Sequence, residues 1–191
     1  MLSDLGKLIM RLVMGGLLMG HGSQKLFGWF GGYGVGGTAG WLESLGLKPG
    51  RMWAWMAGLG EFGGGLLTAL GLFHPVGSIS MIGPMAVATG TAHAGKPIWV
   101  TEGGAELPVT NIALGLGLSM MDPGRFSVDG LLKLKTPFWL IGLTTAGLVA
   151  GTAYALVRQP QQQQQASRPE GEEAGAELQG GAGASESGPM S

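Results

Sequence analysis

Residues 52–73 read MWAWMAGLGEFGGGLLTALGLF, an apolar run with a single charged side chain, Glu61. About 20 mostly apolar residues suffice to cross the hydrocarbon core of a bilayer, and this run is long enough. Four further stretches have the same character: residues 6–28, 75–94, 105–121 (the shortest) and 137–157. Between residues 52 and 121 the only formal charges are Glu61, Lys96, Glu102 and Glu106, too few to cover a water-facing surface. The sequence therefore predicts an all-α polytopic membrane protein. A four-helix transmembrane bundle over residues 5–132 is followed by a fifth transmembrane helix over 137–157. A Gln- and Glu-rich tail over 158–191 cannot bury a core and is expected to be disordered.

Composition narrows the function classes. The net charge of −1 offers no electrostatic claim on nucleic acid. Cysteine is absent, which removes disulfides, thiolate metal sites and thiol relays, and no metal site is expected. The N-terminal apolar stretch runs into the polar HGSQK without a small-residue cleavage site, so it reads as a retained helix.

Glycine is abundant, with 39 residues. The pairs Gly16/Gly20, Gly60/Gly64 and Gly147/Gly151 have the small-xxx-small spacing of close helix packing in lipid, and such faces also suit homo-oligomers. His74-Pro75 is a tight link that forces the second and third apolar helices to be antiparallel neighbours. Pro84 is expected to kink the third. In the loop 29–51, a short helix is expected over 38–46, capped by Thr38 and lying at the interface or folded back on the bundle through Trp41, Leu42 and Leu45.

Ionisable side chains in spanning helices are the candidates for chemistry, because each costs about 2.5–3.5 kcal/mol at mid-bilayer. At about 100° per residue, Arg11, His21 and Lys25 share one face of the first helix. With helices alternating in direction, one membrane face gathers His21, Lys25, His93, Lys96, Glu102 and Glu106. From that face Glu61 lies about 14 Å deep and His21 about 10 Å, whereas Arg11 lies about 25 Å deep. Glu61, His21 and Lys25 are therefore candidate catalytic or ligand-binding residues, with Arg11 and His93 as further candidate cofactor ligands. A quinone suits such a site, its ring in the bundle and its carbonyl oxygens on His and Lys donors. The competing reading is that Glu61 pairs with Lys25 or Arg11 only to hold two helices together. His21 and His93 are the one pair that bis-histidine haem ligation would need. Asn111 is expected to bond across helices or to satisfy backbone freed by Pro108, and Glu102 and Glu106 to form a solvated rim.

Several motifs carry a family resemblance. RLVMGGLLMGHGSQKLFGWFGG, TAGWLESLGLKPG, GLGEFGGGLLTALGLFHP and MDPGRFSVDGLL follow one another in the order of the DoxX family. The glutamate of its second helix matches Glu61, and the turn after its fourth helix matches Gly124, Arg125, Phe126, Ser127 and Asp129. The resemblance spans about residues 5–132 and makes the fifth helix and the tail additions. It implies a small membrane four-helix bundle, linked in some members to quinone-dependent thiosulfate oxidation or to redox complexes with soluble partners. On that footing the expectation is a membrane subunit of a quinone-linked redox system, a possible oxidoreductase in a bacterial inner membrane. The alternatives are a small-solute transporter and a structural anchor for soluble redox enzymes. Lysine and arginine divide almost equally between the two faces, with a leaning to a cytoplasmic N-terminus.

Overall fold

The computed structural model describes residues 1–166, with side chains up to Arg158. Seven α-helices and no strands occur among the described residues. The first, α1 (Leu2–Phe27), ends at Gly28, whose φ of 74° lets the chain reverse. A 3₁₀ turn leads to α2 (Gly34–Ser44), then α3 (Gly50–Leu70) and α4 (Val76–Gly90). After a second 3₁₀ turn come α5 (Glu106–Met120), the five-residue α6 (Val128–Leu132) and α7 (Phe138–Ala166).

Glycine decides how closely these helices approach. A Cβ on Gly15 would stand 2.6 Å from the Gly65 carbonyl oxygen, and one on Gly65 would stand 2.6 Å from the Gly15 carbonyl oxygen. One heptad further along α1, Gly22 lies directly on the backbone of Phe62. A neighbouring face of α3 meets α4 in the same way, with Gly64 and Gly77 each against the other's carbonyl. Helix α3 thus has two small-residue faces, and α1 and α4 dock on them. Van der Waals contact between backbones is what such faces supply in lipid.

The α1 seam therefore runs through Gly15 and Gly22, not the expected Gly16 and Gly20, beside which a Cβ would meet nothing within 4 Å. Gly60 and Gly64 do pack, on Pro84 and on Met81, Ser80 and Gly77 of α4. Gly147 is open, and Gly151 faces only Met56. Pro84 lies inside α4, which stays helical across it and turns the proline ring towards Gly60.

Met14, Leu18, Met81, Met85 and Leu118 form one buried cluster, which ties α1, α4 and α5 together. Leu42, Leu47, Trp53, Ala54 and Ala155 form a second, which brings α2, α3 and α7 together. Helix α7 lies along α4, with Leu148 near Gly83 and Leu156 on Gly90, and stacks Tyr154 on Trp53 at 6.0 Å. Most of its surface stays exposed.

Several boundaries differ from the sequence expectation. Helix α2 starts at Gly34 and ends at Ser44, so Thr38 is a buried interior residue and not a cap. Helices α4 and α5 have 15 residues each, shorter than the expected 75–94 and 105–121. Helix α7 continues to Ala166, so residues 158–166 are helical where the tail was expected to have begun. The rest of the expected disordered tail, 167–191, lies outside the described residues. Among the described residues one helix, Phe138–Arg158, has both the length and the hydropathy of a membrane span.

Candidate functional site

The close approach at Gly22 sets the site. Because α1 lies on the backbone of Phe62, the side chain one turn on, Lys25, comes alongside Glu61. The Lys25 Nζ donates to Glu61 Oε2 at 2.5 Å. Glu61 is 2% exposed, whereas the Lys25 side chain keeps 23% of its surface accessible. His21, one turn before Lys25, is close enough to Glu61 to interact with its charge. No hydrogen bond occupies the His21 ring among the described residues.

These three side chains line a cavity of about 420 Å³ in the bundle. Its other walls are largely apolar: Leu18, Leu47, Trp53, Met56, Pro84, Met85 and Leu107. The cavity is therefore a greasy chamber with an ion pair and an imidazole on one wall. Asn111 of α5 also faces it, and the Asn111 carboxamide donates only to the Met85 sulfur at 3.7 Å, a weak acceptor. Helix α7 supplies part of the wall through Thr144, Gly147, Leu148, Gly151 and Thr152.

Two of the candidate ligands lie elsewhere. Arg11 is buried at 2% exposure and its Nη2 donates to the Phe126 carbonyl at 2.8 Å. Around it, Asp129 accepts from the amides of Phe73 (3.1 Å) and His74 (2.7 Å), and its own amide donates to the Gly71 carbonyl. Ser127 caps α6 by accepting from Gly130 N, and Gly71, at φ 63°, has no room for a Cβ beside the Arg11 guanidinium. Arg11 is thus a clasp residue that holds the turn after α5 to the end of α3. Sharing a helix face with His21 did not bring it to the cavity. His93 does not line the cavity either; its Nδ1 is engaged by the Gly103 carbonyl at 2.7 Å, so His21 and His93 do not share it and the bis-histidine arrangement is not formed. Glu106 accepts from Val100 N at 2.9 Å and thereby holds the turn before α5.

At the clasp end, charge pairs fasten the first turns of α1 to the turn after α5. Lys7 pairs with Asp122, and this contact with the Gly124 amide holds the Asp122 carboxyl below its usual range. The Arg125 amide donates to Asp4 at 3.2 Å and does the same for that carboxyl. In the link between α3 and α4, burial pushes the His74 imidazole below its usual range, although its Nε2 bonds the Met121 carbonyl at 2.7 Å.

The family model described as DoxX matches residues 6–94, which run from α1 to just beyond α4 and contain His21, Lys25 and Glu61. Residues 6–94 thus carry a DoxX domain. The family and the apolar α7 together point to a membrane protein. The matched DoxX residues stop short of α5, the clasp turn and α7, so Asn111 and the α7 wall are contributed from outside them. No curated protein and no solved structure matches the chain.

Sequence reasoning did not single out the cavity roles of Asn111, Trp41 and the α7 residues. A signal was present for α7: Thr144, Gly147 and Gly151 recur at helical spacing on one face. That pattern fits a packing seam equally well.

Proposed function

We propose that this DoxX-family protein crosses a bacterial inner membrane several times and binds the ring of a lipid-soluble quinone in the Lys25–Glu61 cavity. In this role it serves as the membrane subunit of a quinone-linked redox system with a soluble partner. The observation that carries the reading is the pairing of an apolar chamber with two adjacent polar groups, Lys25, held in place by Glu61, and the His21 imidazole. Its volume of 420 Å³ falls within the range of about 300–1,000 Å³ common for small-ligand sites.

The membrane part of the reading is supported by an inverted distribution of polarity. Ile9, Leu12, Val13 and Leu17 of α1, Leu59 and Leu66 of α3, and Leu107, Leu114 and Leu116 of α5 are all exposed, while Arg11, Glu61 and Asp129 are buried. Water would reward the reverse. Five of the six tryptophans, Trp29, Trp41, Trp53, Trp55 and Trp99, gather at the bundle end where α1 finishes and α3 begins. Aromatic belts of this kind mark the level of the lipid headgroups. Helices of 15 residues reach only about 22 Å, so α4 and α5 cross with their flanking turns or where the bilayer thins.

In the chamber a quinone would accept and release electrons and protons at its carbonyl oxygens. The protein's contribution is positional. Lys25 donates a hydrogen bond to one such oxygen while Glu61 fixes its ammonium, the His21 imidazole offers a second donor, and the apolar walls exclude bulk water. The test is to purify the protein from membranes in mild detergent and analyse its extract by mass spectrometry. A quinone close to one per protein, reduced at least tenfold in a correctly folded Lys25→Ala variant, is expected. Equal quinone content in both would overturn the proposal.

A further inference from the structure

A second recess, of about 610 Å³, lies under the glycine-rich connection 31–37 and is lined by Gln24, Lys25, Tyr33, Thr38 and Trp41. Lys25 and Trp41 line both this recess and the apolar cavity. The two spaces differ in character. Leucines, methionines and Trp53 wall the inner one, whereas an amide, two hydroxyl-bearing side chains and glycine backbone surround the outer one. Tyr33, on the rim, is 86% exposed, and the connection is tied down by Gln24 Nε2 donating to the Phe30 carbonyl at 3.3 Å.

We propose that the outer recess is an aqueous port to the site, through which water and small hydrophilic species reach Lys25, and that Trp41 is the partition between it and the apolar chamber. The inference rests on the membrane reading above but not on the identity of the ring. Taking an ion pair out of water costs several kcal/mol per ion, and the two partners here are unequally hidden: Glu61 is sealed while Lys25 retains accessible surface. A port that wets the lysine from its free side accounts for that asymmetry. It also gives the site what a protonating centre requires, a path for hydronium that does not pass through lipid. Trp41 suits the role of partition because its large ring stands half exposed between the two spaces and can block passage without sealing the recess from water.

The chain contains no cysteine, so single-cysteine variants give a clean reading. Thr38→Cys reports on the outer recess and Ala88→Cys on the apolar chamber, in membrane vesicles of both orientations. The probe is the membrane-impermeant anion sulfonatoethyl methanethiosulfonate. Thr38 is only 6% exposed, so rapid modification there requires that the recess admit the reagent. The expected result is labelling of Thr38→Cys from one side only, with Ala88→Cys labelled at least tenfold more slowly. Adding Trp41→Ala, or the bulkier Trp41→Leu if the alanine variant fails to fold, should bring Ala88→Cys to within a fewfold of Thr38→Cys. No labelling of Thr38→Cys before denaturation would overturn the port. Equal rates with Trp41 in place, or no change on removing it, would overturn the partition. A short-chain quinone that slows labelling of Ala88→Cys but not of Thr38→Cys would support both readings. Absence of that protection, with the partition intact, would count against the quinone alone.

Discussion

Arg11 and Glu61 are equally buried, each at 2% exposure, yet they sit in opposite circumstances. Arg11 closes one end of the bundle. Its guanidinium fills the space beside Gly71, donates to the Phe126 carbonyl and lies in the field of Asp129, which itself caps two amides. Glu61, at the other end, holds a lysine that opens onto two cavities. A charge hidden in an apolar bundle therefore marks a knot or a site, and burial alone does not say which. What separates them is the space next to the charge. Arg11 lines neither of the two cavities, whereas the pair at Lys25 borders a chamber with vacant donors.

That contrast can be broken by substitution, and the clasp end should respond most strongly. Asp129→Ala removes both amide bonds and the opposite charge nearest Arg11; the loss is expected to be about 3–5 kcal/mol, the scale for leaving a buried charge unpaired. Thermal unfolding in detergent measures it, and quinone content per folded protein should be unchanged. A stability close to wild type would show that Arg11 does not need the clasp. Glu61→Gln is expected to do the reverse. Its melting temperature should fall by less than half as much, because Lys25 keeps access to water, while quinone content falls at least tenfold. Equal stability losses in the two variants would erase the distinction between knot and site.

A smaller effect concerns pH. Burial holds His74 below its usual range, so the folded state takes up a proton less readily than the unfolded chain does. Stability from this residue is complete above the ordinary imidazole range. It is lost as pH falls through that range towards the lowered folded value. The clasp end should therefore melt earlier at pH 5 than at pH 7.5, and His74→Gln should remove part of that difference. A pH dependence unaltered by the substitution would place its origin elsewhere. The smallest effect is expected midway between the two ends, on the outer face of α1. Gly16→Ala meets no neighbour and should leave stability unchanged or raise it by at most about 1 kcal/mol. A destabilised Gly16→Ala would reveal a partner helix on that face.

Much of this was legible in the sequence, for physical reasons that differ from element to element. The Lys25–Glu61 pair could be anticipated because two charges in apolar runs, level with each other in antiparallel helices, have few other places to go. The same logic separated Arg11 by depth, but its partner lies more than a hundred residues away, in the turn around Asp129, and neither periodicity nor spacing connects them. Helix α2 began earlier than expected because a glycine run carries almost no helix signal of its own. The short α4 and α5 show that apolar runs overstate helix length when their ends are spent in turns, as at Thr91 and Met121. Helix α7 was legible as a span but not as a cavity wall. Small residues on a helix face look alike whether they meet another helix or an empty chamber.

On the reading proposed above, the space beside Lys25 and Glu61 takes a quinone. The most direct measurement is photo-crosslinking with an azido-quinone in native membranes, followed by peptide mapping. Labelling should concentrate on cavity residues such as Met56 and Met85 and be suppressed in Glu61→Gln. Labelling spread over the exposed apolar faces, or left undiminished in that variant, would contradict it.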